Sequence, residues 1–274
     1  MAAVPDFSKP YRIDNGRKFR LKDFDTGDTG GGSKKLAEKE LPRGIERLVD
    51  LQDKLYAQDR WAILLIFQAM DAAGKDGVIK HVMSGVNPQG CQVYSFKQPS
   101  IEELNHDFLW RTNKCIPERG RIGIFNRSHY EDVLAVRVHN LVPKEVWSKR
   151  YDQINAFEKM LSENGVTILK FFLHISRDEQ AIQLKQRIED PTKNWKFNAG
   201  DLEERQLWDK YNAAYRDALQ KCSTPWAPWY LVPADKKKAR NYLVARRIVA
   251  ALESLKLEYP KPKTDLREYL KVLG

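Results

Sequence analysis

Residues 61–77, "WAILLIFQAMDAAGKDG", join a continuous apolar run to a short Gly-Lys loop, and the reading of that junction decides the fold. The run at 61–67 is short and has no polar face, as expected of a strand buried on both sides in a parallel sheet. The next residues are close to the phosphate loop G-x-x-x-x-G-K-[ST]. Ala69, however, stands where the first Gly belongs, and Asp76 where a magnesium-holding hydroxyl belongs.

Outward from this junction, strand and helix signals alternate. Short apolar runs recur at 91–96 ("CQVYSF"), 121–125 ("RIGIF"), 166–173 ("VTILKFFL") and 228–232 ("PWYLV"). The stretches 101–114, 143–164 and 201–221 are long enough for helices, the last two with apolar residues at helical intervals. Ahead of the first run, Ile45, Leu48, Val49, Leu55 and Tyr56 recur at helical spacing from Gly44. This alternation predicts a three-layer α/β/α fold of about five parallel strands with right-handed crossovers. Residues 1–42, with "DFDTGDTGGGSKK" at 23–35, are expected to form a flexible basic arm, and 43–274 a single domain.

The 274 residues include 47 Lys plus Arg against 37 Asp plus Glu, a formal net charge of +10. That excess favours a polyanionic partner, and nucleic acid, an anionic membrane, a nucleotide or polyphosphate would each satisfy it. No stretch approaches the roughly 20 apolar residues of a membrane span, and the N-terminus has no apolar signal core. A cytoplasmic protein without a membrane partner is expected. Cys91, Cys115 and Cys222 are widely spaced and lack C-x-x-C pairing, so reduced thiols are expected rather than disulfides or a zinc site.

In a parallel sheet the loop after the first strand opens at the carboxyl edge, where ligands bind, and a helix starting near Gly74 presents free N–H groups to an anion. Gly74 permits close backbone approach, Lys75 can reach terminal phosphates, and Ala72, Ala73, Asp76 and Gly77 complete the candidate cradle. With the hydroxyl gone, Asp71 is the candidate carboxylate for a hard cation. The alternative is an ordinary surface turn, since Gly-Lys pairs are common.

After "RIGIF" comes "NRSHYEDVLAVRVH" at 126–139, which brings Asn126, Arg127, Ser128, His129, Tyr130 and Glu131 to the same sheet edge. A P-loop enzyme needs a second metal-supporting group at a strand end and a cation for the transferring phosphoryl group. Asn126 offers a neutral oxygen ligand, Arg127 a bidentate cation, and Glu131 a further charge. The competing reading is a helix start capped by Asn126 or Ser128, with Glu131 favouring the dipole. His129 and His139 read as structural histidines, Phe108 and Trp110 as core aromatics, and Arg111 as able to reach an acceptor phosphate.

Taken in order, "DAAGKDG", "GVNPQGCQVYSFKQPS", "HDFLWR", "GRIGIFNRSHYEDVLAVRVH" and "DPTKNWKF" resemble polyphosphate kinase family 2, in particular the class acting on both nucleoside mono- and diphosphates. Each motif alone is unspecific, and the ordered set is not. The resemblance implies a thymidylate-kinase-like P-loop fold, magnesium with manganese as substitute, and inorganic polyphosphate as donor. It further implies AMP and ADP as acceptors, with the choice between adenine and other purine nucleotides left open, and a homo-oligomer, dimer or tetramer. It makes Asp71 and Lys75 the family's loop carboxylate and lysine, and puts Asn126 and Arg127 in its second motif, where many members carry Asp at the position of Asn126. How Asp71, Asn126 and Glu131 share the metal stays open.

Residues 176–205 carry Arg177, Lys185, Arg187, Lys193 and Lys196, Pro191 interrupts their helical pattern and Trp195 is expected to anchor the returning segment, which reads as a helical lid; the resemblance implies the same, with Arg187 as its catalytic arginine. A solvated basic hairpin would look similar. Arg17, Lys18, Arg20 and Lys22, and Lys236, Lys237, Lys238, Arg240, Arg246 and Arg247, are candidate tracks for a phosphate chain and equally readable as solvated faces. The expected reaction is reversible transfer of the terminal phosphoryl of polyphosphate to AMP or ADP. The alternatives are an ATP-dependent nucleoside monophosphate kinase and a P-loop protein that binds nucleic acid. No groove-reading helix or RNA-binding signature is present, so no nucleic-acid partner is expected.

Overall fold

The computed structural model describes residues 9–14 and 16–273. Five strands, β1 (Ala62–Ala69), β2 (Cys91–Ser95), β3 (Ile122–Asn126), β4 (Val166–His174) and β5 (Trp229–Pro233), form one parallel sheet in the order β2-β3-β1-β4-β5. Every residue of β1 is buried, as its unbroken apolar sequence requires, and Leu65 lies opposite Ile124 on one side and Leu169 on the other. The strand order reverses its direction beside β1. In an open α/β sheet that switch point forms the ligand crevice.

The main helices are α1 (Lys34–Gln58), α2 (Lys75–Val82), α3 (Arg150–Glu163), α4 (Arg177–Glu189), α5 (Gly200–Gln206), α6 (Trp208–Cys222) and α7 (Lys237–Ser254). α7 packs against α1 and α2, while α3 and α6 pack together as a separate group, giving the three-layer α/β/α fold. Residues 101–114 form two single turns, Ile101–Leu104 and Trp110–Asn113, instead of one helix. The first is fixed by a Ser100–Glu103 capping box, and the Asp107 carboxylate accepts from Leu109 N (2.9 Å), bending the chain between them.

The domain boundary expected at residue 42 falls inside α1. Ser33 caps this helix, its Oγ accepting from Leu36 N (3.1 Å), and the helix continues through Pro42. A proline in a helix interior costs about 3 kcal/mol. Burial of Leu48, Leu51 and Leu55, with α1 packed along α7, offsets that cost. Of the expected arm, 1–8 lie outside the described residues, and 10–14 and 16–32 do not stand apart: Tyr11, Ile13 and Phe19 are buried, Ile13 N donates to Trp229 O (2.9 Å), and Arg12 bridges antiparallel to Tyr230. The segment thereby covers the β5 edge of the sheet.

A charged network is buried beneath the carboxyl edge. Lys170, central in β4, donates to Glu158 Oε2 (2.5 Å), Cys222 O (2.6 Å) and the Tyr130 hydroxyl (2.8 Å), and Tyr130 in turn donates to Glu158 Oε1 (2.9 Å). Lys170, Glu158 and His129 are fully buried. Burial alone would raise the Glu158 carboxyl, but Lys170 and His129 hold it below its ordinary 4.5. A carboxyl depressed in the folded state stabilises at neutral pH, and that contribution is lost as acid protonates it. We therefore expect Lys170→Met to cost about 3–5 kcal/mol in denaturant unfolding, with much of the loss recovered in the Lys170→Met/Glu158→Leu pair. The double variant should also lose stability less steeply than wild type below pH 4.5, the ordinary value for this group.

Candidate active site

β1 ends at Ala69, and the chain turns through 70–74 into α2. Ala72 (φ 62°) and Gly74 (φ 90°) are left-handed. At 74 only glycine fits, because a Cβ would run into the Arg240 guanidinium. Three loop carbonyls are held by side chains: Ala69 O accepts from Lys75 Nζ (3.0 Å), Asp71 O from Gln180 Nε2 (2.9 Å) and Ala73 O from Arg240 Nη1 (2.8 Å).

The second motif meets the loop because Phe67 of β1 pairs with Asn126 of β3. Asn126 Nδ2 donates to Asp76 Oδ1 (2.7 Å), and Arg127 Nη2 donates to Asp71 Oδ1 (3.1 Å). Arg127 is also left-handed (φ 62°), its N–H held by Phe67 O (3.0 Å). Ser128 then caps a 3-10 turn, His129–Asp132, its Oγ accepting from Tyr130 N (3.1 Å). With the Gln68 amide turned so that donors meet acceptors, its nitrogen donates to Glu131 Oε1 (3.0 Å).

Desolvation and charge oppose each other here. Burial lowers the Lys75 ammonium, with Asp71 pulling the other way, and burial raises the half-buried Glu131 carboxyl against Arg127 and Lys75. Burial opposes the Arg127 cation, but Glu131 and Asp71 together favour it, so its pKa rises. Arg240 is driven down to about 10 by burial, with Glu179 opposing.

Two cavities flank the loop. One, of about 560 Å³, contains Asp71, Arg127, Glu131 and Arg111 among its walls, with Phe96, Pro99 and Leu141 as apolar surface. Six carboxylates line it (Asp71, Glu131, Asp132, Asp201, Glu203, Glu204) against the cations Lys97, Arg111 and Arg127. The other, of about 380 Å³, is bounded by Ala72, Ala73, Gly74, Asp76 and Gly77 of the loop. It carries six cations (Arg187, Lys193, Lys196, Lys237, Lys238, Arg240) against Asp76 and Glu179. The loop thus separates an acidic cavity from a basic one.

Lys75, Asn126, Lys185 and Lys236 line neither cavity. Arg111 is buried, donates to Lys97 O (2.9 Å) and lies over the Phe96 ring. Arg187 pairs with Asp201 (2.8 Å), and Lys193 with Asp190 (2.7 Å). Trp195 does not anchor the returning segment: it is 78% exposed, its Nε1 satisfied locally by Thr192 O (3.1 Å), and the Arg187–Asp201 pair ties 187 to 201 instead. His129 lies in the buried network, 3.4 Å from Glu158 Oε1, whereas His139 borders the acidic cavity and contacts Glu204 (2.9 Å). In the sequence Arg240 is one charge in a basic cluster, and no motif marks Gln180, Tyr211 or Tyr215, which line the acidic cavity. Arg240, Val244 and Ile248 recur at i, i+4 and i+8 and are all buried, a spacing that marks Arg240 as inward-facing.

The model of the polyphosphate kinase 2 family matches residues 31–260. The chain belongs to the polyphosphate kinase 2 family. Among curated relatives, the AMP/ADP-polyphosphate phosphotransferase of Meiothermus ruber is 51% identical over 258 residues, which cover 93% of this chain and 97% of the relative. The ADP-polyphosphate phosphotransferase of Rhodopseudomonas palustris is 52% identical over 276 residues, 96% of each chain. The crystal structure of polyphosphate kinase 2 from Arthrobacter aurescens TC1 matches with a TM-score of 0.95 and 42% identity, covering 100% of this chain and 99% of that one. As a polyphosphate kinase 2, the chain is a phosphotransferase.

In this polyphosphate kinase 2, Asn126→Asp would set a second carboxylate where Asn126 now donates to Asp76 at 2.7 Å. Like charges that close raise the carboxyl pKa of the pair, so its folded value lies above the unfolded one and stability falls as pH rises. We expect the Asn126→Asp variant to melt well below wild type at pH 8 and by a smaller margin at pH 5, the difference closing only toward the unfolded carboxylate pKa of about 4. Equal melting differences at both pH values would rule out the charge pairing.

Proposed function

We propose that this chain transfers the terminal phosphoryl group of inorganic polyphosphate to AMP and ADP, reversibly, with the donor chain in the basic cavity and the nucleotide in the acidic one. The observation that carries the reading is the opposite charge of the two cavities across one loop. A phosphate chain gains a cation contact at each step along Lys237, Lys238, Arg240, Lys193 and Arg187. A nucleotide needs instead an apolar wall for its base, which Phe96, Pro99 and Leu141 supply, and a cation to bring its phosphates among six carboxylates.

That cation is magnesium, with manganese as substitute. Among the described residues no three His, Cys, Asp or Glu side chains form a metal-binding group, which fits an ion taking most of its ligands from phosphate and water. Asp71 is the loop carboxylate that lines the acidic cavity and would hold the ion; Asn126 can offer only its Oδ1, since its nitrogen serves Asp76, and Glu131 lines the same cavity and favours the Arg127 cation. Held there, the ion would supply charge neutralisation to the phosphates. An acceptor phosphate oxygen attacks the terminal phosphorus as the bridging P–O bond breaks, and the shortened chain leaves as an oxyanion. Lys75 and Arg127 hold the transferring group, and Arg187 adds charge from the 176–205 segment, which acts as a lid excluding water.

We place the enzyme in the cytoplasm; no helix among the described residues is long and apolar enough to cross a membrane. We propose a homo-oligomer, dimer or tetramer, supported by exposed Val93 on the edge strand β2 and by exposed Ile101 and Leu104 in the turn that follows it in sequence, 57%, 81% and 68% exposed.

Purified protein with magnesium, long-chain polyphosphate and AMP or ADP should yield ADP and ATP. Apparent donor affinity should rise with chain length until the basic cavity is filled. Lys237→Ala/Lys238→Ala should raise the donor KM several-fold at about 0.2–1 kcal/mol per exposed charge, with little change for the nucleotide, whereas Lys236→Ala should not. Lys75→Ala and Asp71→Asn should each lower kcat on the order of 100-fold or more. Activity with ATP as sole donor, indifferent to polyphosphate, would overturn the assignment.

A further inference from the structure

Gln180 is 2% exposed, and its side chain is engaged at both ends. Nε2 donates to Asp71 O (2.9 Å), while Oε1 accepts from Arg205 Nη1 (2.7 Å), which also donates to Arg177 O (2.8 Å). One amide therefore connects α5, α4 and the phosphate loop. The carbonyl it holds belongs to the peptide between Asp71 and Ala72, and Ala72 is at φ 62°. The orientation of a peptide plane is set by ψ of the residue before it and φ of the residue after it. An alanine held left-handed is strained, by roughly 1–2 kcal/mol, and reverts unless a neighbour fixes the peptide. Gln180 is placed to be that neighbour. The same peptide sets the direction of the Asp71 side chain, whose Oδ1 meets Arg127, the other left-handed non-glycine of the site.

We propose that Gln180 is a positioning residue for phosphoryl transfer: by holding the Asp71–Ala72 peptide in its strained orientation it aims the Asp71 carboxylate at the cation and the reacting phosphates, and Arg205 sets the amide so that the nitrogen faces the loop. The inference rests on the reading of Asp71 as the cation-holding carboxylate. Gln180 also lines the acidic cavity, but its effect on turnover runs through the loop carbonyl, so that Asp71→Asn, and not a change of nucleotide, removes it. Glutamate at 180 keeps an acceptor for Arg205 and loses the donor to Asp71 O. Leucine loses both at similar volume.

The test compares Gln180→Leu, Gln180→Glu, Asp71→Asn and Gln180→Leu/Asp71→Asn in the full chain, with ADP and long-chain polyphosphate. Melting temperature, kcat, both KM values and the apparent magnesium constant are measured. Gln180→Leu and Gln180→Glu are both expected to lower kcat about tenfold, as for one lost hydrogen bond to a strained group. Both should raise the apparent magnesium constant several-fold and leave the polyphosphate KM unchanged. On the Asp71→Asn background, Gln180→Leu should cost nothing further. Should leucine prevent folding, the glutamate variant carries the same kcat and magnesium readouts. Wild-type kcat and magnesium constant in Gln180→Glu would overturn the proposal, as would an equal further loss on the Asp71→Asn background. An Asp71→Asn enzyme with an unchanged magnesium response would overturn the reading of Asp71, and this proposal with it.

Discussion

A phosphate loop must turn its N–H groups toward the anion, which leaves its carbonyls pointing away from the ligand and in need of donors. Here three alternate carbonyls, at Ala69, Asp71 and Ala73, are satisfied by Lys75, Gln180 and Arg240. The donors come from the helix the loop itself starts, from α4 and from α7, across sequence separations of 6, 109 and 167 residues. The loop conformation is therefore a tertiary product. It is strained at Ala72, and it persists because distant elements over-determine it. This also explains the buried guanidinium of Arg240, which is driven down to about 10 by desolvation yet stays in place through Ala73 O and Asn241 Oδ1.

The second motif is stiffened from below. Arg127, held left-handed, is followed directly by Ser128, His129 and Tyr130, all buried, and Tyr130 and His129 lie in the Lys170–Glu158 network. Such a network is costly if any member goes missing and gains its value from fixing one arrangement. The arrangement it fixes is the exit of β3, from which Asn126 and Arg127 reach the loop. An exposed ion pair such as Arg127–Asp71, 44% and 26% exposed, adds little stability of its own. Its geometry is inherited from the strained loop on one side and the buried network on the other.

How much could be read from the sequence depends on the range of the forces involved. Strands β1, β3, β4 and β5 were legible because burial on both faces writes itself into consecutive residues, whereas β2 is a half-exposed edge strand marked only by its short apolar run, and the meeting of the loop with the 126–131 motif followed from strand ends in one parallel sheet. The start of α1 was misplaced because its apolar spacing is visible only from Gly44 onward, whereas the helix begins at the Ser33 cap and packing along α7 carries it through Pro42. Trp195 was read as an anchor because large aromatics are usually buried, whereas the Arg187–Asp201 ion pair ties that segment. Gln180 and Arg240 were illegible in their roles, since nothing local marks which buried polar side chain will find a particular carbonyl more than a hundred residues away.

The departures from the ordinary phosphate-loop motif at 76 and 126 explain each other. A hydroxyl at 76 would serve a cation directly, and an acidic residue at the end of β3 would then be its natural companion. With Asp76 in the loop instead, an acid at 126 would place two carboxylates in contact, and the amide of Asn126 removes that repulsion while supplying the donor that Asp76 lacks. The pair is then occupied with itself: the Asp76 oxygen accepts from Asn126, and Asp76 faces the basic cavity. Asp71 is differently engaged, with a single guanidinium contact from Arg127, and it faces the acidic cavity. The loop therefore carries one carboxylate toward each cavity, one quenched by an amide and one balanced by a cation, and the asymmetry between the two sides of the site begins at these two residues.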